Sequence, residues 1–216
     1  SDALASYAAG VNAWLELVSE GGRGRGSPEL LIADERSIAA WTPGDSLRIA
    51  RSFLNGLRPG SAREGMPSIS GAIIPTDRPR VPELLATDPQ QRLNAWAMDG
   101  DRTATGTPIL AAEISGSLSL PSKWYLADLQ FSTGPAIGAT MPGVPFVIVG
   151  RNTRVAWAFR SFPVPDEEAP RGPSPVQAAG FLTMLELFAR SADATDAIGV
   201  AADMLPKGME ALVIDR

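Results

Sequence analysis

The residue types that could do chemistry in this chain are limited to carboxylates, hydroxyls, amides and basic side chains. Its 216 residues include no histidine and no cysteine. Disulfides, thiolate clusters and cysteine nucleophiles need cysteine, while imidazole metal sites and serine–histidine pairs need histidine. The sequence excludes all of these sites, and it gives no sign of a cofactor.

Carboxylate side chains lie close together in the sequence at two places. Asp99 and Asp101 flank a predicted hairpin turn, and turn chemistry explains both of them, so we do not assign a catalytic pair. Asp166, Glu167 and Glu168 are adjacent, which is typical of a solvated loop.

The apolar spacing predicts a helix from Asp2 to Val18, because its large apolar residues recur every three or four positions and share one face. A second helix is predicted from Pro43 to Asn55, with Thr42 in the N-cap position. The segments Phe181–Ala189 and Thr195–Leu205 are also predicted to be helical.

A stretch rich in proline and glycine divides the chain. Residues 1–56 form a predicted helical segment, residues 57–91 a spacer, and residues 92–216 a β-rich segment with C-terminal helices. The spacer contains six prolines, so long regular structure is not expected in it.

The β-rich segment opens with a predicted hairpin. Two apolar runs, Leu93–Met98 and Thr107–Ala112, flank the turn signals Asp99-Gly100 and Thr105-Gly106. Further strands are predicted at Trp124–Phe131, Phe146–Val149, Arg154–Arg160 and Ala211–Ile214.

The charge balance indicates which classes of partner the chain is expected to bind. The chain has 19 basic and 24 acidic residues, a net charge of −5, and no basic cluster. Nucleic acid and anionic membranes are therefore not expected as partners. No apolar run is long enough to span a membrane, and a secretory signal is expected to be absent or already removed.

Several short motifs occur in the order known from one enzyme family. They are Tyr7–Ala13, Trp41–Leu47, Asn94–Ala97, Gly100–Gly106, Pro108–Ala111, Pro121–Tyr125, Gly138–Pro145 and Gly150–Trp157. Together they resemble the penicillin acylase family of N-terminal-nucleophile hydrolases, which includes the cephalosporin and acyl-homoserine-lactone acylases. Residues 1–56 resemble the family's α chain, and residues 92–216 resemble the start of its β chain.

The resemblance implies an α+β fold, a partial αββα arrangement in which antiparallel sheets are covered by helices. It also implies a hydrolase that needs no histidine. In the family the precursor cuts itself before a serine, whose α-amino group, with a pKa of about 8, then serves as the base. Family members are several times longer and commonly periplasmic or secreted. We therefore expect a fragment, a shortened paralogue or one subunit of a split assembly.

Leu93 stands at the position of the family's nucleophile. The family motif Ser-Asn-x-Trp is here Leu93-Asn94-Ala95-Trp96. Because leucine cannot attack a peptide or an acyl amide, we expect the chain to stay uncut at Arg92-Leu93 and to form no acyl-enzyme.

Three other positions carry roles that the resemblance implies. Ser115 stands where the family has histidine or glutamine near the nucleophile, and the backbone N–H of Ser161 could serve an oxyanion hole. The calcium-binding acids of some members map near Glu168, but Pro165 falls on one ligand position. No metal is assigned, and Glu168 is left as a candidate calcium ligand.

The candidate substrate-binding residues are Asn94, Trp96, Met141, Trp157 and Phe159. Aromatic residues with a few polar groups could line an acyl pocket. Alternatively, the aromatic side chains form the core of the strands, and Met141 belongs to a structural turn.

Two functional hypotheses follow. The first is an inactive, penicillin-acylase-like protein that acts in binding or as a structural partner. The second is an active amide hydrolase, on acyl amides, β-lactams or acyl-homoserine lactones, whose nucleophile is Ser115 or comes from a partner chain. In either case we expect a second chain or a homodimer mate to cover the incomplete sheet, and a small acylated ligand is a further expected partner.

Overall fold

The computed structural model describes residues 2–20, 39–57, 92–116, 122–162, 172–190 and 204–215. The predicted spacer beyond Leu57, the candidate calcium ligand Glu168 and most of the helix predicted at Thr195–Leu205 lie outside these residues. The fold is built from both helices and antiparallel strands, as predicted.

Among the described residues, three helices occur close to their predicted positions. They are α1 (Asp2–Ser19), α2 (Pro43–Gly56) and α3 (Pro175–Arg190). Within the described ranges, no helix has both the length and the apolar character needed to cross a bilayer.

Side-chain caps set where two of these helices begin. At α2, the Asp45 carboxylate accepts hydrogen bonds from the N–H and the hydroxyl of Thr42 at 2.8 and 2.7 Å. At α3, Ser174 and Gln177 bond reciprocally, so the helix begins six residues earlier than the predicted start at Phe181. Such caps satisfy N–H groups that have no partner inside the helix.

In the part of the chain that the structure describes, seven strands form two sheets. They are β1 (Arg92–Met98), β2 (Ile109–Ser115), β3 (Tyr125–Phe131), β4 (Gly134–Thr140), β5 (Val149–Arg151), β6 (Val155–Ser161) and β7 (Met209–Asp215). The predicted hairpin is confirmed as the antiparallel pair β1–β2, and the other strands form an antiparallel sheet in the order β3-β4-β5-β6-β7.

One strand was predicted at the wrong place and another was not predicted. The strand expected at Phe146–Val149 lies instead at Val149–Arg151. Phe146 is buried in the segment between β4 and β5, and its carbonyl accepts a 2.7 Å hydrogen bond from the Thr140 hydroxyl. Strand β4 contains Gly134, Pro135 and Gly138. Because glycine and proline favour turns, the sequence pattern does not predict a strand here.

The main core lies between α3 and the five-stranded sheet. Trp157 stacks on Phe188 at 5.6 Å between ring centroids, and Phe159 packs on Phe181 at the same distance. Phe53 brings α2 into this cluster.

The β1–β2 hairpin lies against β6 and β7. Ala158 points away from the α3 side of β6, because its neighbours Trp157 and Phe159 face α3, and it is fully buried.

Candidate functional site

The start of β1 carries Leu93, which the resemblance predicts to occupy the position of the family nucleophile. Leu93 has no exposed surface and pairs with Ile114 on β2, which packs against the same core. Leu93 is thus part of a filled core, and its side chain does not line an open cleft.

Ser161 is brought directly to the backbone of Leu93. The Leu93 N–H donates to Ser161 Oγ at 3.3 Å, and this hydroxyl donates to the Leu93 carbonyl at 3.5 Å. The sequence predicted a nearby role for the Ser161 N–H, whereas the contact in the structure is made by its side chain. The structure therefore joins these two predicted site residues, although by a different group.

The chemistry at this contact differs from that of a free N-terminal serine. The Leu93 nitrogen belongs to a peptide bond inside β1 and donates its hydrogen to Ser161. A peptide nitrogen that donates in this way cannot act as a base, since only the neutral amine of a freed terminus accepts a proton.

Ser115 lies on the other face of the hairpin. Side chains alternate along a strand, so Ser115, Glu113 and their cross-strand partners Arg92 and Asn94 point away from Leu93. Ser115 Oγ donates to Glu113 Oε1 at 2.9 Å. The structure thus separates Ser115 from Leu93 and pairs it with a carboxylate.

Trp96 shares this outer face of the hairpin with Asn94. Its side chain is 53% exposed, and Asn94 is exposed beside it. The interpretation of the clustered aromatics as core therefore fails for Trp96, although it holds for two others.

Trp157 and Phe159 are buried beneath α3. Both have at most 1% exposed surface, and the Trp157 indole donates to the Val147 carbonyl at 3.3 Å. These side chains build the core between β6 and α3.

Met141 belongs to a turn that is held by the N-terminal helix. The Val144 N–H donates to the Met141 carbonyl at 3.1 Å, which closes the turn, and the Gly143 N–H donates to the Tyr7 hydroxyl at 3.1 Å. A φ of +92° at Gly143 and the Trp41 ring 3.3 Å from where a Cβ would lie leave room only for glycine.

Asn12 joins α1 to the segment before α2. Its amide accepts from the Trp41 N–H at 2.7 Å and donates to the Trp41 carbonyl at 2.9 Å. We call Tyr7, Asn12, Trp41 and Gly143 the interlock, because they tie three sequence motifs into one unit. Neither Tyr7 nor Asn12 was predicted individually as a site residue, although a polar residue within a largely apolar helix is a usable signal.

The side chains of Asn152 and Asp99 have structural partners. Asn152 Oδ1 accepts from the Arg154 and Val155 N–H groups, each at 2.7 Å, and its amide donates to the Phe188 carbonyl at the end of α3. Asp99 Oδ1 accepts from the Asp101 N–H at 3.2 Å. These contacts agree with the prediction that turn chemistry explains Asp99 and Asp101.

Among the residues that the structure describes, two groups have perturbed acidities. Partial burial raises the pKa of Tyr125, and the neighbouring Tyr7 adds to the shift. The hydrogen bonds from Thr42 lower the pKa of Asp45, with Arg48 contributing further. Within the described ranges, no three acidic side chains gather as a metal site would require.

Comparison with known protein families shows to which family the chain belongs. The family model for penicillin amidase matches residues 1–167. The chain belongs to the penicillin amidase family. The match includes the interlock, the β1–β2 hairpin and most of the five-stranded sheet.

Two curated relatives are acyl-homoserine lactone acylases named QuiP. The protein of Pseudomonas fluorescens strain Pf0-1 is 30% identical over 120 residues, which are 55% of this chain and 14% of that acylase. The protein of Pseudomonas aeruginosa PAO1 is 30% identical over 66 residues, 31% of this chain and 8% of that acylase. The matched regions thus span a small part of these relatives.

Proposed function

We propose that this penicillin amidase family chain is catalytically inactive and acts in binding or as a structural partner. The observation that carries the proposal is Leu93, fully buried in a paired strand at the position of the family's nucleophile. An apolar side chain supplies no oxygen to attack a substrate, and without self-cleavage before residue 93 no α-amino group is freed to act as the base.

The test combines processing with activity. The purified chain should keep an intact mass of 22.7 kDa, with no cut between Arg92 and Leu93. It should not hydrolyse an acyl-homoserine lactone, a β-lactam or a chromogenic acyl amide faster than the buffer blank. Turnover proportional to protein concentration would contradict the proposal.

A second candidate function is an amide hydrolase that uses Ser115. The observation that favours it is the 2.9 Å hydrogen bond from Ser115 Oγ to Glu113, because a carboxylate can accept a hydroxyl proton. If turnover is found, Ser115→Ala should abolish it, while Ser122→Ala, at an exposed serine outside the hairpin, should leave it intact. Equal activity of both variants would eliminate this candidate.

For binding, we propose the outer face of the hairpin as the contact surface for an acylated ligand. Trp96 offers an exposed aromatic ring and Asn94 an exposed amide, whereas Trp157 and Phe159 are buried in the core. Titration with an acyl-homoserine lactone should change the tryptophan fluorescence, and Trp96→Ala should remove the change. Trp14→Ala is the matched control, since Trp14 is also exposed but lies on α1.

The family resemblance also leads us to propose a periplasmic or secreted location. Fractionation of cells that express the natural gene tests it, and a purely cytoplasmic signal would contradict it.

A further inference from the structure

Asp99 is followed by a glycine in the loop that joins β1 to β2. Its side chain is exposed, and its Oδ1 accepts a hydrogen bond from the Asp101 N–H at 3.2 Å. This contact forms an Asx turn, in which the carboxyl group folds back along the peptide that follows it. The hydrogen bond therefore keeps the Asp99 carboxyl carbon beside the backbone nitrogen of Gly100.

The backbone nitrogen of Gly100 is available for a reaction with this carboxyl group. Gly100 is the first residue of a short 3₁₀ helix, Gly100–Arg102, so its N–H has no acceptor within that helix. Among the described residues, no other backbone carbonyl accepts a hydrogen bond from it. Because glycine has no Cβ, no side chain of residue 100 shields the nitrogen.

The packing of the loop requires glycine at this position. A Cβ on Gly100 would lie 2.6 Å from the carbonyl oxygen of Gly106 and 3.4 Å from the nitrogen of Pro108. Both neighbours are backbone atoms, so the loop would have to change its path to accept a larger residue. The fold therefore maintains an aspartate–glycine pair at the end of the hairpin.

We propose that Asp99–Gly100 is a site of spontaneous isoaspartate formation. The Gly100 nitrogen attacks the carboxyl carbon of Asp99 in its protonated form, and a C–N bond forms. The carboxyl hydroxyl leaves as water with the proton that the nitrogen loses, which closes a five-membered imide ring. Water then opens this ring at the former backbone carbonyl, so the chain runs through the side-chain carboxyl carbon. One water is released and one is taken up, and the reaction does not depend on the proposed function.

One other pair in the sequence has glycine after aspartate or asparagine, and it provides an internal comparison. This pair is Asn55–Gly56. Asparagine forms the same ring faster than aspartate in an unfolded chain, because its amide does not have to be protonated first. Gly56, however, is buried at the end of α2, and its N–H belongs to the helical hydrogen-bond pattern. The helix must open before this nitrogen can react, so the fold protects the more reactive pair.

Isoaspartate at residue 99 would change the loop of the hairpin. In the unmodified chain, the Arg102 N–H donates to the Asp99 carbonyl at 3.1 Å. After the rearrangement this carbonyl belongs to a free carboxylate, and the backbone is one carbon longer. Aged protein should therefore carry an altered loop on the hairpin that presents Trp96.

Peptide mapping of aged protein tests the proposal. The full chain is incubated at physiological temperature and pH, folded or in guanidinium chloride, and isoaspartate is labelled with isoaspartyl methyltransferase. In the folded chain, isoaspartate should accumulate at residue 99 at least as fast as in denaturant, because the turn holds the reacting atoms together. Asn55 should react about tenfold or more slowly in the folded chain than in denaturant, because the helix must open first.

The order of the two sites should thus be inverted by folding. The proposal is overturned if Asp99 reacts more slowly in the folded chain than in denaturant. Faster reaction at Asn55 than at Asp99 in the folded chain would equally overturn it.

Two matched variants assign the site. Asp99→Glu keeps the carboxylate but would need a six-membered ring, which forms far more slowly, so labelling of the folded chain should be lost. Asp101→Glu makes the same change at an exposed residue and keeps the backbone N–H that bonds to Asp99, so labelling should match the natural chain. Unchanged labelling of Asp99→Glu, or loss of labelling in Asp101→Glu, would contradict the assignment.

Discussion

The interlock and the start of β1 both lie in family motifs, yet their polar groups are used differently. In the interlock, Tyr7 and Asn12 bond directly to the backbone of Gly143 and Trp41. At the start of β1, an apolar Leu93 fills the core and only its backbone bonds to Ser161. The difference teaches that a family motif can preserve packing where an apolar residue takes the place predicted for the nucleophile.

The largest effect is expected at Leu93 itself. Leu93→Ser should lower the free energy of unfolding by about 3–5 kcal/mol, because it leaves a cavity and buries a hydroxyl. The variant should nevertheless remain a single chain, since Arg92 and Leu93 both lie within the paired strand β1. Urea unfolding and intact mass measure the two outcomes.

Leu126→Ser is the control for this change, because Leu126 is 85% exposed. It should alter stability by no more than about 0.5 kcal/mol. Self-cleavage of Leu93→Ser between residues 92 and 93 would show that the start of β1 needs only a serine to regain the family chemistry. The difference between the start of β1 and the interlock would then depend on residue 93 alone.

The next largest effect concerns Gly143 in the interlock. Gly143→Ala should cost about 2–4 kcal/mol, because a Cβ would lie 2.8 Å from Ile49 Cγ1 and the backbone φ is positive. Gly106 also has a positive φ, but a Cβ there would meet no atom within 4 Å. Gly106→Ala should therefore cost only the strain of about 1–2 kcal/mol. Thermal unfolding that shows equal losses for both variants would argue against tight packing at the interlock.

A smaller effect is expected for Asn12. Asn12→Ala removes both hydrogen bonds to Trp41 and should destabilise the chain by about 1–3 kcal/mol, because part-buried backbone groups lose their partners. Asn94→Ala, at an exposed asparagine of the hairpin, should change stability by no more than about 0.5 kcal/mol. Urea midpoints that rank the two variants in the opposite order would mean that the hairpin, and not the interlock, depends on its amide.

The helices could be predicted from the sequence more fully than the contacts around Leu93. Periodicity and caps located α1 and α2, because such local signals do not depend on distant residues. The resemblance pointed to Leu93 and Ser161, but their contact spans 68 positions and depends on how β1 meets β6. The exposure of Trp96 was missed for the same reason. Alternation along β1 points Trp96 to one face of the hairpin and Leu93 to the other. Only the packing of the hairpin on its neighbours reveals which of the two faces is covered.

The smallest effect tests whether the start of α2, adjacent to the interlock, depends on charge. The pKa of Asp45 is lowered from its ordinary value of 3.8, chiefly by the hydrogen bonds from Thr42. A carboxylate with a lowered pKa stabilises the fold above its unfolded pKa, and this contribution is lost as the pH falls through the folded pKa. The natural chain should therefore melt slightly above Asp45→Asn at pH 7, and the difference should shrink progressively as the pH falls below about 4. Thr42→Val removes the hydroxyl donor, so its effect should not add fully to that of Asp45→Asn in the double variant. If the melting difference were unchanged at low pH, the helix start would be fixed by Pro43 and backbone geometry, and the charge of Asp45 would contribute nothing to it.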